Sequence, residues 1–202
     1  MKKLLVLAAG ILQIPVIKKA KEMGLYVVAA DGDADAVGLK YADKPVVANI
    51  TSEEEMLRVA REEHIDGVIH PCSEVSRSVM GRINDELGLS GITKEQAVRA
   101  TNKHLMRKAF ERGNAPSPKS YCFEDAHSAW NMFCGMDGAG ILKPSRNSGS
   151  RGISKITHDI GRQEFVRLFE VAAKESRDNS VMLEQFIEGD EFSVEIIVCH
   201  HE

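Results

Sequence analysis

The sequence predicts an α/β fold, a Rossmann-like parallel-sheet domain followed by a smaller α+β lobe. Three observations carry that prediction. Apolar runs of strand length alternate with helical spacings over residues 1–92. A charged helical stretch without a strand then ends at the breaker Asn114-Ala115-Pro116-Ser117-Pro118. Beyond it, strands come in consecutive pairs joined by glycine-containing turns, as antiparallel strands do.

The elements follow in order. Leu4 to Ala9 is a continuous apolar run, the mark of a parallel strand buried on both faces. Ile14, Ile17 and Ala20 repeat at helical spacing, and Gly24 closes that helix. Tyr26 to Ala30 is a second strand ending at Asp31, and Val46 to Ala48 a third. Thr51 or Ser52 caps a helix that opens with Glu53, Glu54 and Glu55, acids suited to the positive end of the helix dipole. Gly67 to His70 is a fourth strand, and Ser76 to Leu87 a helix ended near Gly88. The stretch Thr93–Gly113 is helical. After the breaker come a strand Ser120–Phe123, a helix Glu124–Cys134, a hairpin Gly140–Ile156 and a helix Gln163–Ser176. Two last strands are predicted at Val181–Phe186 and Glu191–Val198, with Gly189-Asp190 as the turn between them.

Composition narrows the function. With 43% hydrophobic and 28% charged residues the chain has the means to bury a core. A net charge of −4 lacks the basic excess of a nucleic-acid binder. No apolar run approaches the about 20 residues of a membrane span, and the short Leu4–Ala9 run is a buried strand rather than a signal peptide. A cytoplasmic protein is expected, with no nucleic-acid and no membrane partner. Cys72, Cys122, Cys134 and Cys199 form no C-x-x-C pair and read as reduced thiols. In Cys199-His200-His201, neighbours on a strand point to opposite faces and make poor joint metal ligands.

The most informative segment runs from Lys143 to Gly152. It follows the apolar Gly140-Ile141-Leu142 and contains Ser148, Gly149, Ser150, Arg151 and Gly152. Small residues leave backbone N–H groups accessible, and Lys143 and Arg151 add positive charge, which together suit a polyphosphate. It is not a Walker A loop, because G-x-x-x-x-G-K-[ST] does not occur. Taken alone, such loops most often bind nothing. Near the N-terminus, Ala8-Ala9-Gly10-Ile11-Leu12-Gln13 has one of the three glycines of a dinucleotide fingerprint, which disfavours NAD.

Three further features line up with the loop. Lys103 stands in Thr101-Asn102-Lys103 at a helix start; Glu184 begins Glu184-Gln185-Phe186-Ile187; Glu191 follows in Glu188-Gly189-Asp190-Glu191. In this order the motifs closely resemble the ATP-grasp superfamily, above all the carbamoyl-phosphate synthetase large chain and the purine-pathway carboxylate–amine ligases. The resemblance spans almost the whole chain. It implies a pre-ATP-grasp substrate domain at 1–92, a helical linker at 93–115, the ATP-grasp small lobe at 116–185 and the start of a truncated large lobe at 186–202.

The same resemblance implies roles. Lys103 and Lys143 contact the ATP phosphates; Ser148, Gly149, Ser150, Arg151 and Gly152 form the covering loop. Glu184, Gln185, Phe186 and Ile187 line the adenine, with Phe186 more often core than a stacking platform. Glu191 accepts hydrogen bonds from the ribose hydroxyls, for which a two-oxygen carboxylate is suited. Gly10, Asp31 and Glu74 sit at strand ends on the acceptor-substrate side; His70 reads equally well as structural. The implied cofactors are ATP and Mg2+, with the Mg2+ ligands in a C-terminal part beyond residue 202, so Asp190, Glu191 and Glu195 are not assigned to the metal. The implied activity of the intact protein is activation of a carboxylate as an acyl phosphate and its capture by an amine, with little or no turnover expected from 1–202 alone. A small carboxylate and amine pair are the expected substrates, and a homodimer or a separate C-terminal partner chain are both open assemblies. The alternatives are an NAD-linked oxidoreductase and a non-catalytic nucleotide-binding module.

Overall fold

The computed structural model describes residues 1–147 and 149–196. They divide into two compact units. One is Met1–Ala115 with Arg146–Gly149; the other is Pro116–Ser145 with the chain from Ser150 on.

In the first unit the elements are β1 (Lys3–Leu7), α1 (Ile14–Glu22), β2 (Tyr26–Asp31), β3 (Lys44–Val47), α2 (Glu53–Glu62), β4 (Gly67–Ile69), α3 (Arg77–Leu87), α4 (Lys94–Thr101) and α5 (Lys103–Arg112). The strands form a parallel sheet in the order β3-β2-β1-β4. Alternation along β1 explains why its sequence is apolar throughout. Leu5 and Leu7 pack with Met56, Val59 and Ile83 on one face, while Val6 packs with Ile17, Val27 and Leu39 on the other. All are buried, and each aliphatic side chain contributes about 1.5–3 kcal/mol.

Local chemistry sets the helix ends. Ser52 caps α2 by accepting from Glu55 N, and Thr93 with Gln96 forms a capping box on α4. The expected helical stretch 93–113 is two helices, broken at Asn102. Its backbone is extended, and its side chain accepts from Leu105 N (3.0 Å), starting α5 afresh. Lys103 is therefore the first residue of α5.

The second unit contains β5 (Ser120–Phe123), α6 (Ala126–Cys134), β6 (Gly140–Pro144), β7 (Ser154–Ile156), α7 (Arg162–Glu175) and β8 (Val181–Gln185). Its sheet is antiparallel in the order β5-β8-β6-β7. Leu142 and Leu183 are register partners facing α6 and α7, where Phe133, Phe165 and Phe169 fill the core. Phe133 stacks on Phe165 at 5.6 Å, and Trp130 meets Phe165 edge-on at 5.1 Å.

One expected element is absent. Glu191–Ile196 carries no strand pairing, and Ile197 and Val198 lie outside the described residues. The alternating pattern is present, but Phe192, Val194 and Ile196 are 84%, 75% and 77% exposed. A strand needs a neighbour to satisfy its backbone, and none of the described strands pairs with this segment. Cys199, His200 and His201 are also outside the described residues. Cys72, Cys122 and Cys134 are free thiols. Among the described residues no helix is long and apolar enough to cross a membrane, and no group of three His, Cys, Asp or Glu could hold a metal ion.

Candidate nucleotide site

β6 and β8 supply the centre of the second unit's candidate site. Their register pairs Ile141 with Glu184 and Lys143 with Met182. Lys143 and Glu184 therefore share the face opposite the Leu142–Leu183 core and are diagonal neighbours. Lys143 Nζ lies 2.5 Å from Glu184 Oε2, with the side chains only 15% and 5% exposed. A charged pair this deep persists only where each charge meets the other.

β8 leads directly into the segment Gln185–Ile187. Gln185 N donates to Lys119 O and Phe186 N to Ala139 O, both at 2.9 Å. A small cavity of about 90 Å³ lies beside Gln185, walled by Tyr121, Met132 and Met136. Phe186 is half-buried rather than core, and Lys155 Nζ stands 3.7 Å from its ring centroid. Sequence reasoning missed Lys155; its place on β7, next to β6, was the available signal. Ile187 and Glu191 are exposed.

The glycine loop has left-handed backbone at Gly149 (φ 84°), Ser150 (φ 55°) and Gly152 (φ 69°). At Gly152 a Cβ would also come within 3.2 Å of Glu175 and Pro144 side-chain carbons, so glycine answers both conformation and space. Arg151 is mostly exposed, 3.7 Å from Glu175. At the foot of the loop the buried Ser145 hydroxyl lies beside the Cys122 thiol and meets no nitrogen or oxygen partner. Burial pushes the Cys122 thiol up, against the lowering effect of the Ser180 and Ser145 hydroxyls. Burial therefore favours the neutral thiol at Cys122. Ser148 lies outside the described residues. In the first unit, Lys103 Nζ donates to Asn147 O at 2.7 Å.

The remaining candidates lie at the C-terminal edge of the parallel sheet, the end where open α/β sheets bind ligands. Gly10 begins the turn after β1, Asp31 ends β2, and Glu74 precedes α3. Asp31 is engaged with backbone: one carboxylate oxygen accepts from Ala9 N (2.7 Å) and the other from Asp33 N (2.9 Å). It fixes the loop carrying Gly10. His70, buried at 6% exposure, caps the edge between β1 and β4. Burial is the main cause that lowers its pKa, and Arg77 adds to the effect.

No family model matches the chain. Curated relatives do. It is 27% identical over 193 residues to formate-dependent phosphoribosylglycinamide formyltransferase of Synechococcus sp. (strain WH7803), covering 93% of this chain and 48% of the relative. The enzyme of the same description from Erythrobacter litoralis is 26% identical over 204 residues, covering 98% and 51%. The chain spans about half the length of the curated relatives it matches. Among solved structures, the biotin carboxylase domain of Hydrogenobacter thermophilus 2-oxoglutarate carboxylase, in complex with MgADP, ADP and bicarbonate, superposes with a TM-score of 0.77. It is 23% identical, over 93% of this chain and 44% of that one. Phosphoribosylglycinamide synthetase from Anaerococcus prevotii gives 0.68 at 24% identity, covering 93% and 46%. These neighbours are ATP-grasp proteins, so the fold is about half of the ATP-grasp architecture.

Proposed function

We propose that this chain, with about half of the ATP-grasp fold and a sequence resembling purine-pathway ligases, is the nucleotide-binding part of an ATP-dependent carboxylate–amine ligase. The observation that carries the reading is the largely buried Lys143–Glu184 pair, on the strands that precede the left-handed glycine loop and the segment Gln185–Ile187. The residues present fit a nucleotide. A largely buried ammonium and the buried Ser145 hydroxyl stand at the foot of a small-residue loop, a donor set suited to a polyphosphate.

In this reading Lys143 and Lys103 hold phosphate oxygens, and Gly149 to Gly152 with Ser148 cover them. Glu184 accepts from the adenine amino group. Because Gln185 N and Phe186 N already serve Lys119 O and Ala139 O, the next amide, that of Ile187, reads the adenine edge. Glu191 binds the ribose hydroxyls. Mg2+ would screen the phosphates when bound; no residue described here is assigned to it. Gly10 and Glu74 border the acceptor, and Asp31 orders the loop beside it. The substrate's carboxylate oxygen attacks the γ-phosphorus and ADP leaves. An amine then attacks the acyl carbon, and phosphate leaves with the bond electrons. The proposed setting is the cytoplasm.

Mg-ATP titration by calorimetry tests the site. Lys143→Ala and Glu191→Ala should each weaken binding about tenfold or more. Unchanged affinity in both variants sinks the assignment. Tight NADH binding without ATP binding would instead support the oxidoreductase alternative.

A further inference from the structure

The loop from Pro71 to Val75 is held by more polar ties than a surface connection requires. His70 closes it at both ends. Its Nδ1 lies 3.0 Å from Leu7 O, and Ser76 N donates to its Nε2 at 3.3 Å. Leu7 O can only accept and Ser76 N can only donate, so the ring is neutral with its proton on Nδ1. The bond to Leu7 extends past the last β1–β4 register pair, Val6 with Ile69. The bond from Ser76 stands where α3 lacks a side-chain cap, and the buried Ser76 hydroxyl makes no hydrogen bond itself. The loop is tied sideways as well. Buried Gln13 donates from Nε2 to Pro71 O at 2.8 Å, and Cys72 Sγ approaches Leu12 O at 3.9 Å. Cys72 takes a left-handed backbone (φ 60°), which a tethered loop can sustain. These ties join the turn bearing Gly10 to the loop bearing Glu74.

We propose that His70 is a positioning residue whose neutral ring clasps the Pro71–Val75 loop, setting Glu74 beside the Gly10 turn for a small, hydrogen-bond-donating substrate. The substrate part of this proposal rests on the acceptor-side reading above; the clasp does not. A proton arriving on Nε2 faces the Ser76 N–H with a second donor and breaks the tie to α3. Arg77 of α3 is the charged side chain that acts on the ring, and it opposes that proton; β1 presents only the Leu7 carbonyl.

The test uses the chain as it stands. Nitrogen-15 NMR of the wild-type imidazole at pH 7.5 should show the Nδ1–H tautomer. A proton on Nε2 at that pH overturns the proposal without any variant. Hydrogen exchange, corrected for intrinsic rate, should show the Ser76 amide losing about five- to tenfold of its protection in His70→Ala, the size expected for one hydrogen bond. His70→Asn, which keeps one donor and one acceptor, should recover part of it. In the wild type the same loss should appear as acid protonates the ring, at a pH below the ordinary 6.5, and His70→Asn should not show it. Equal protection in all three proteins overturns the clasp. If the clasp stands but Glu74→Ala leaves ligation by the full-length enzyme unchanged, the acceptor reading fails and the clasp does not.

Discussion

Lys143 Nζ and Glu184 Oε2 meet at 2.5 Å on the non-core face of the antiparallel sheet, diagonal neighbours across β6 and β8. Neither side chain has water enough to stand alone. Lys143→Ala should therefore destabilise the second unit by about 3 kcal/mol, because Glu184 loses its Lys143 partner in a place with little access to water. Lys143→Met with Glu184→Leu removes both charges and should return within about 1 kcal/mol of wild type. Urea denaturation of the three proteins decides it: equal losses in the single and double variants would show that the pair is not an isolated, mutually compensated unit.

Gly38 approaches the backbone after β1 so closely that a Cβ would lie 2.4 Å from Ala9 O, to which Gly38 N already donates at 2.6 Å. Backbone atoms cannot swing aside as a side chain can. Gly38→Ala should cost about 2 kcal/mol or more. Gly32→Ala, whose new methyl would sit 3.8 Å from Ala48 O, should stay within about 0.5 kcal/mol. Thermal melts of the two variants provide the comparison.

Acid should destabilise the first unit through particular carboxylates. The Lys21 hydrogen bond, with Val27 N, holds Asp43 below its ordinary 3.8. For Glu53, burial acts upward but is outweighed by hydrogen bonds from Lys94 and Ser78, leaving it below its ordinary 4.5. A depressed folded-state value means stability present above the ordinary value and lost as pH falls through the folded one. Asp43→Asn and Glu53→Gln should flatten the decline of stability below about pH 4.5 in denaturation curves, while lowering stability at pH 7.

His104 behaves differently in range. Burial first, then the Lys108 charge, lowers its pKa below 6.5. The unfolded chain takes up that proton earlier, so stability declines as pH falls from 6.5. His104→Gln should remove this part of the pH dependence, read as a smaller change in urea midpoint between pH 7.5 and 5.5.

Phe133 is the centre of the second unit's aromatic cluster, stacked on Phe165 and, at 4.9 Å, on His158. Phe133→Ala should cost about 3–5 kcal/mol. Phe133→Leu keeps most of the volume and should cost clearly less. Fluorescence of the neighbouring Trp130, 6.2 Å away, reports the unfolding of each variant.

Much of the fold was legible because its signals are local. Burial of β1 on both faces shows as an uninterrupted apolar run, and the Thr93 capping box is readable from four consecutive residues. The same locality misled at Glu191–Ile196, where alternation is visible but strand pairing depends on chain elsewhere. A helix start at Lys103 was legible, whereas the end of the preceding helix was not; the extended backbone and side-chain cap of Asn102 separate the two. In the candidate site, residue types and order were readable. The partners were not: Asp31 looked available to a ligand, yet its two oxygens serve Ala9 N and Asp33 N.

By itself the sequence determined the alternation of elements, the break after Ala115, the glycine loop after Lys143 and the residue types around it. Each depends on neighbours within a few positions, where periodicity and turn chemistry act. Only the tertiary structure decided which charges meet. Lys143 and Glu184 pair because an antiparallel register brings residues 41 apart onto one face, and His70 reaches Leu7 across 63 positions because β1 and β4 are adjacent. Hydrogen bonds and ion pairs act over a few ångströms of space and are blind to distance along the chain.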